Sequence, residues 1–107
     1  MSSGNTNTNT NTAYEYRGAT FSIRRDPDSP WWVIQCLDLP GTLSQGESPD
    51  AAFAMGCDAL DGVLDAYAEN GEEPDWEPAV ADLDGDPVIR PVMLRRVAGG
   101  IRWERVR

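Results

Sequence analysis

Residues 32–67 read WVIQCLDLPGTLSQGESPDAAFAMGCDALDGVLDAY, an aromatic and β-branched run followed by a Pro-Gly turn and an acidic helical pattern. The opening run favours a strand. Ser48 is a good N-cap and Pro49 suits the first helical position, so we expect a helix to begin there. Apolar residues then recur with a period of about 3.6 as far as Tyr67, and Asn70-Gly71 predicts the helix end. The predicted helix has about 20 residues and is about 30 Å long.

The rest of the chain predicts strands on both sides of this helix. Apolar and polar residues alternate in 19–25, and the dense turn residues of 26–30 reverse the chain. The predicted strands are 19–25, 31–37, 42–45, 88–94 and 101–106, of which the last two form a hairpin. The expected fold class is therefore α+β: an antiparallel sheet of three to five strands with one long helix packed on one face.

The chain of 107 residues has the length of one domain. Its start, SSGNTNTNTNT at 2–12, is polar and of low complexity, so it cannot bury enough apolar surface to offset the entropy lost on ordering. We expect residues 1–13 to be a disordered tail. We expect residues 14–107 to be one domain that ends in a C-terminal strand or hairpin, with no separate DNA-binding domain.

The charge is strongly negative and unevenly distributed, with 18 acidic residues against 9 basic ones, all Arg, and a net charge of -9. The stretch from Asp38 to Asp86 holds 14 acidic residues and no basic one, whereas Arg90 to Arg107 holds six Arg and one acid. Such a domain repels nucleic acid over a broad face and attracts a basic protein surface. The acidic run is either a solvated face or a docking face. The Arg-rich end is either a nucleic-acid patch or, as we favour, a pairing partner for the acidic stretch, in the same chain or in a second subunit.

The sequence contains no pattern typical of an enzyme or a cofactor site. Without His or Lys, the usual activation of a Ser or Cys nucleophile is missing. Cys36 and Cys57 cannot fill a zinc site without His, and no Gly-rich phosphate motif is present. We therefore expect no catalysis, no cofactor and no metal. A nuclease that binds magnesium through clustered carboxylates is the alternative, but no spacing singles out those residues.

Location and assembly follow from the same composition. Cys36 and Cys57 lie in apolar-periodic segments, so we expect buried free thiols. With no secretory segment and no long apolar run, we expect a cytoplasmic protein without membrane association. An exposed edge at the C-terminal strand predicts a homo-oligomer such as a dimer.

An ordered set of short motifs spans residues 32–74. Leu37-Asp38-Leu39-Pro40-Gly41 closely matches a P-D-L-P-G signature, and Ser44-Gln45-Gly46-Glu47-Ser48 resembles an S-x-G-D-T segment that leads into the helix. Ala52 and Ala59 fall at the small residues of an E-E-A-x-x-N-x-x-E-A pattern, and Gly71 to Pro74 resembles a G-x-x-x-P exit. In this order the segment resembles the HicB antitoxin family. The chain departs from the family at Thr42, Ala51 and Met55, where a Cys, an acid and an Asn are usual.

The resemblance implies a partial ribonuclease-H-like fold and a binding role, because HicB proteins cover the active surface of HicA, a small basic ribonuclease toxin. The expected function is thus an antitoxin-like binding protein that neutralises a basic HicA-type toxin by masking its surface. The candidate partner-binding residues, chosen for charge and expected exposure, are Asp58, Asp61, Asp65, Glu69, Glu72, Glu73 and Trp76.

Two other binding roles stay open. The first is a stand-alone HicB-like regulatory or structural domain without a toxin partner. The departures from the family pattern favour it, as does the short chain after Pro87, where many family members continue into a DNA-binding domain. The second is a regulator that binds nucleic acid through the Arg-rich C-terminus, and the net charge argues against it.

Overall fold

Residues 13–80 and 84–107 are described by a computed structural model, in which one antiparallel sheet is covered by one helix. The elements are β1 Tyr14–Arg25, β2 Trp32–Cys36, β3 Leu43–Gly46, α1 Pro49–Glu69, β4 Val88–Val97 and β5 Glu104–Arg105. The strand order is β3-β2-β1-β4-β5, and every neighbouring pair is antiparallel. The predicted α+β class is confirmed. The predicted tail lies outside the described residues, apart from the exposed Ala13.

Helix α1 begins and ends where the local signals predict. The side chain of Ser48 accepts a hydrogen bond of 3.0 Å from the backbone N–H of Ala51, and Pro49 occupies the first helical position. Asn70 caps the other end, and Gly71 follows with a left-handed φ of +69°. No helix in the described part of the chain is long and apolar enough to cross a membrane.

The hydrophobic core lies between α1 and one face of the sheet. β1 contributes Ala19, Phe21 and Ile23, which alternate along the strand as the sequence predicts. The remaining buried apolar residues are Ile34, Cys36, Leu39, Ala52, Cys57, Leu60, Leu64, Leu94 and Trp103. Phe53 joins them by meeting Phe21 edge to face, with ring centroids 5.9 Å apart. This single small core is what a domain of this size can build.

Strands β1 and β5 differ from their predicted lengths. β1 begins at Tyr14 rather than at residue 19, because its first half pairs with β4 over the register Tyr14↔Val97 to Gly18↔Met93. That half is held by strand pairing and not by burial under α1, so it lacks the expected alternation. β5 has only two residues instead of the predicted 101–106, because the chain before it is irregular and buries Trp103.

Both cysteines are free and buried, as predicted. Cys36 lies in β2 and Cys57 in α1, so both thiols belong to the core between helix and sheet. Burial raises the pKa of each thiol above its ordinary value, because desolvation penalises the thiolate. The thiolate is the reactive form, so both side chains are suited to packing and poorly suited to nucleophilic chemistry.

Candidate protein-binding site

The predicted partner-binding residues fall on two consecutive segments. Asp58, Asp61, Asp65 and Glu69 lie in α1 at spacings of three and four residues, so they share one side of the helix. Glu72, Glu73 and Trp76 lie in the segment that follows α1. Together they form an acidic strip along the helix and past its C-terminal end.

Three acids of this strip form ion pairs with the Arg-rich C-terminus of the same chain. Arg105 donates two hydrogen bonds to Asp61, of 2.8 and 2.9 Å, and Arg107 donates another at 3.4 Å. Asp65 pairs with Arg102, and Glu73 pairs with Arg96. The Arg-rich end was expected to pair with acids of the same chain or of a second subunit. The structure shows pairing within the chain.

The Asp61–Arg105 pair is the best ordered of these contacts. It is bidentate and half-buried, with side chains that are 32% and 16% exposed. The hydrogen bonds from Arg105 hold the pKa of Asp61 below its ordinary value of 3.8, against an opposing effect of burial. The same contact raises the pKa of Arg105, so both groups are charged throughout the physiological range.

Replacing Asp61 by Asn is expected to lower the free energy of unfolding by about 1 kcal/mol at pH 7, because a bidentate charged pair becomes a neutral contact. The folded-state pKa of Asp61 is lowered, so its stabilisation is complete above pH 3.8 and is lost as the pH falls through the lowered value. The difference between wild type and variant should therefore narrow in acid. Urea titrations at pH 7 and at about pH 3 measure it.

The matched control for this prediction is Asp58→Asn, one helical turn earlier. Asp58 is exposed and forms no ion pair with any residue in 13–80 or 84–107, so its loss should change stability by less than about 0.5 kcal/mol. A difference between Asp61→Asn and wild type that stays constant with pH would contradict the account.

Trp76 makes its contacts inside the molecule. Its ring meets Trp103 edge to face at a centroid distance of 6.0 Å, and the guanidinium of Arg17 lies 3.8 Å from the ring centroid. One residue later, the N–H of Glu77 donates a hydrogen bond of 2.8 Å to the carbonyl of Asp38. These contacts fasten the segment after α1 to the sheet, so Trp76 positions the acidic strip and offers a partner only part of its ring.

Three candidate acids remain uncommitted. Asp58, Glu69 and Glu72 are exposed, and within the described ranges none of them forms an ion pair or a side-chain hydrogen bond. Among the described residues, the strip therefore has two parts: exposed carboxylates without an ion pair, and carboxylates that are paired with an Arg.

The sheet face turned away from α1, which we call the open face, was not among the predicted sites. Its exposed large apolar side chains are Tyr14, Tyr16, Val33, Leu43, Ile89, Met93 and Val97. The sequence signal that could have indicated this face is the apolar run in β4. Val92 and Leu94 pack toward α1, while Met93 lies between them on the other face. A strand that is apolar on both faces is typical of a sheet covered on both sides.

Within residues 13–80 and 84–107, no three Cys, Asp or Glu side chains come together so that they could hold a metal ion. A hollow of about 450 Å³ lies between α1 and the C-terminal segment, and its walls are Trp103 and ion-paired side chains of both segments.

The motif Leu37-Asp38-Leu39-Pro40-Gly41 has a structural role. The buried carboxylate of Asp38 accepts a hydrogen bond from the N–H of Thr20 and lies 3.6 Å from the guanidinium of Arg17. Gly41 adopts a left-handed φ of +97°, which lets the chain turn from β2 into β3. The motif thus joins two strands and fixes their position against β1.

The arrangement of three strands, a helix and returning strands is shared with a known protein. The structure is similar to the crystal structure of the N-terminal domain of the antitoxin HicB from Burkholderia pseudomallei, with a TM-score of 0.55 and 23% sequence identity. The match covers 71% of this chain and 95% of that one. The fold is HicB-like. No protein-family model matches the chain, and neither does any curated protein.

Proposed function

We propose that this protein is an antitoxin-like binding protein that neutralises a basic ribonuclease toxin of the HicA type by masking its surface. The observation that carries the proposal is the HicB-like fold, since the matched structure is a domain of an antitoxin. Masking requires complementarity of shape and charge and no catalysis. Such a role agrees with a chain in which both thiols are buried and Asp58, Glu69 and Glu72 of the acidic strip are exposed.

The charge of the chain supports a basic partner. The chain has 18 acids and only 9 Arg, so its net charge of -9 is carried by acids in excess of the Arg that could neutralise them. Asp58, Glu69 and Glu72 lie among these on the acidic strip. They would attract a positive surface over a Debye length of about 10 Å at 0.1 M salt, which accelerates association and makes it sensitive to salt.

The paired acids would contribute differently. Asp61, Asp65 and Glu73 can bind a cation of the partner only by releasing an Arg of the C-terminal segment. We therefore propose that Asp58, Glu69 and Glu72 make the first contacts, and that the paired acids take part only by exchange. Trp76 would hold this surface in place through its contacts with Trp103 and Arg17.

The first test is to recover the partner from the native host. Tagged protein is purified at low salt, and a stoichiometric basic protein released by salt is identified by mass spectrometry. That protein should cleave RNA alone and lose this activity when the present protein is added. Recovery of no basic protein, or of one that keeps its activity in the complex, would overturn the proposal.

The second test locates the contact. Neutralising the free acids together, as Asp58→Asn, Glu69→Gln and Glu72→Gln, should weaken binding of the recovered toxin by about tenfold or more at low salt. The control neutralises three exposed acids elsewhere, as Asp28→Asn, Glu47→Gln and Asp86→Asn, which changes the net charge equally. We expect the control to lose less than about threefold. Equal losses would show that net charge alone, rather than the strip, attracts the toxin.

A stand-alone HicB-like domain without a toxin is the second candidate. The observation that favours it is the pairing of Asp61, Asp65 and Glu73 within the chain, because these acids are then part of the fold. It predicts that the first test yields the protein with no toxin bound.

We place the protein in the cytoplasm, where an RNA-cleaving toxin would act. Cys36 and Cys57 support this proposal, since free thiols persist in a reducing compartment.

A further inference from the structure

The open face is unusually apolar for one side of an antiparallel sheet. Such sheets commonly place one face on the core and the other, polar face in water. Here the strand registers bring Tyr14 beside Val97 and Gly18 beside Met93 on the side away from α1. Tyr14, Tyr16 and Met93 are exposed by 41%, 59% and 48%. A contiguous apolar surface of this kind marks an interaction site rather than scattered exposure.

From this surface we infer that the protein forms a homodimer in which the open faces of two copies pack on each other as a two-layer sheet sandwich. Sheets pack face to face about 10 Å apart, with interdigitating side chains. The inference concerns a surface other than the acidic strip and does not depend on the existence of a toxin.

The area of the open face is sufficient for a specific contact. The strands have 12, 5, 4, 10 and 2 residues. With a rise of about 3.3 Å per residue and a spacing of about 4.8 Å between strands, they cover roughly 500 Å² of sheet. Two such faces bury roughly 1,000 Å², without the additional surface of the protruding side chains. This area reaches the lower bound for a biological interface.

The charge distribution favours this orientation over contact through the helices. Among the described residues, the open face carries the charged side chains of Arg24, Arg95 and Glu104, and Arg95 is paired with Glu104 at 3.0 Å. It is thus nearly neutral on a molecule whose net charge is -9. Packing the open faces together places the two α1 helices on opposite outer sides, roughly 30 Å apart, several Debye lengths at physiological salt. Contact through the helices would instead bring like charges together.

Other occupants fit the open face less well. Residues 2–12 contain only Ser, Gly, Asn and Thr, so that segment has no apolar side chain to bury there. Among residues 13–80 and 84–107, the strands place one carboxylate on this face, that of Glu104, whereas the acidic strip offers a basic partner several. Tyr and Met are residue types enriched in protein interfaces, and a second copy supplies the same set in return.

The test is Met93→Glu, with Met55→Glu as its matched control. Met93 is 48% exposed at the centre of the open face, and Met55 is 49% exposed on α1. Sedimentation velocity should show wild type and Met55→Glu at twice the chain mass of 11.7 kDa at roughly 10 to 100 µM. Met93→Glu places two carboxylates in an apolar interface, so its dimer dissociation constant should rise at least about 100-fold.

A second variant and a salt series distinguish loss of the dimer from loss of folding or of toxin binding. Leu43→Glu, at the other side of the open face, should also dissociate the dimer, and far-ultraviolet circular dichroism should show that both variants stay folded. Raising the salt to about 0.5 M should leave the dimer intact, because its interface is nearly neutral and the acidic helices are already screened from each other, while it weakens toxin binding. A monomeric wild type, a Met93→Glu dimer, or equal dissociation by Met55→Glu would overturn the proposal. The wild type alone could prove monomeric, and Met93→Glu could abolish toxin binding. That pair of results would replace the homodimer by a toxin as the occupant of the open face.

Discussion

Replacing Gly46 by alanine is expected to lower the free energy of unfolding by about 3 kcal/mol, a large part of the 5 to 15 kcal/mol available to a small domain. Gly46 is the last residue of β3 and is buried under the first turn of α1. A Cβ at this position would lie 2.4 Å from the backbone nitrogen of Ala52 and 2.6 Å from the carbonyl carbon of Ala51. Both are backbone atoms, so no side-chain rotation relieves the clash and the helix start must move.

Gly62→Ala is the matched control for this substitution. Gly62 lies within α1, and an added Cβ there meets no atom within 4 Å. Alanine should therefore stabilise the protein by about 0.5 to 1 kcal/mol, through helix propensity alone. Urea unfolding followed by Trp fluorescence measures both variants. If Gly46→Ala stays within about 0.5 kcal/mol of wild type, the close approach of β3 to α1 is wrong.

Replacing Asp38 by alanine is expected to cost about 2 to 3 kcal/mol, the second largest effect. The carboxylate is 7% exposed, accepts the backbone N–H of Thr20, and lies 3.6 Å from Arg17. Alanine leaves that N–H without its acceptor, and a buried donor without a partner loses its full desolvation energy. It also removes the charge that faces Arg17 near Trp76.

Asp38→Asn separates the two contributions. The amide oxygen can still accept from Thr20, while the charge facing Arg17 is removed. We expect this variant to lose about 1 kcal/mol, because the pair with Arg17 is partly exposed. Equal stabilities of Asp38→Ala and Asp38→Asn would show that the hydrogen bond to Thr20 contributes little, and would remove the structural reason for an acid at this motif position.

Local sequence signals predicted the helix. The start of β1 could not be predicted from them, because it depends on long-range pairing with β4. Ser48, Pro49 and Asn70 act on backbone groups within one turn, so their effect can be read without knowing the fold. The first half of β1 depends on β4, with Tyr14 opposite Val97. No periodicity within residues 14–18 encodes a partner that far along the chain, so the start of β1 was placed too late.

The candidate site shows the same division. The separation of acids from Arg along the chain predicted that the two groups could pair. It could not indicate that Asp61 would hold Arg105 while Asp58, on the same helix, would stay free, because that choice depends on where the C-terminal segment crosses α1. The open face was missed because an apolar residue such as Met93 can be core or surface, and only the position of α1 distinguishes the two.

The Arg side chains that lie across α1 act as counter-ions tethered to the chain. Arg102, Arg105 and Arg107 are held near Asp61 and Asp65 by a short stretch of backbone, which gives them effective concentrations of the order of millimolar. A protein that presents a single Lys would have to compete with these Arg side chains, and it would gain little binding free energy by displacing one of them. Several cations arranged on one rigid surface could displace the tethered Arg together, so in the proposed complex the ion pairs would discriminate by the arrangement of a partner's charge as well as by its amount.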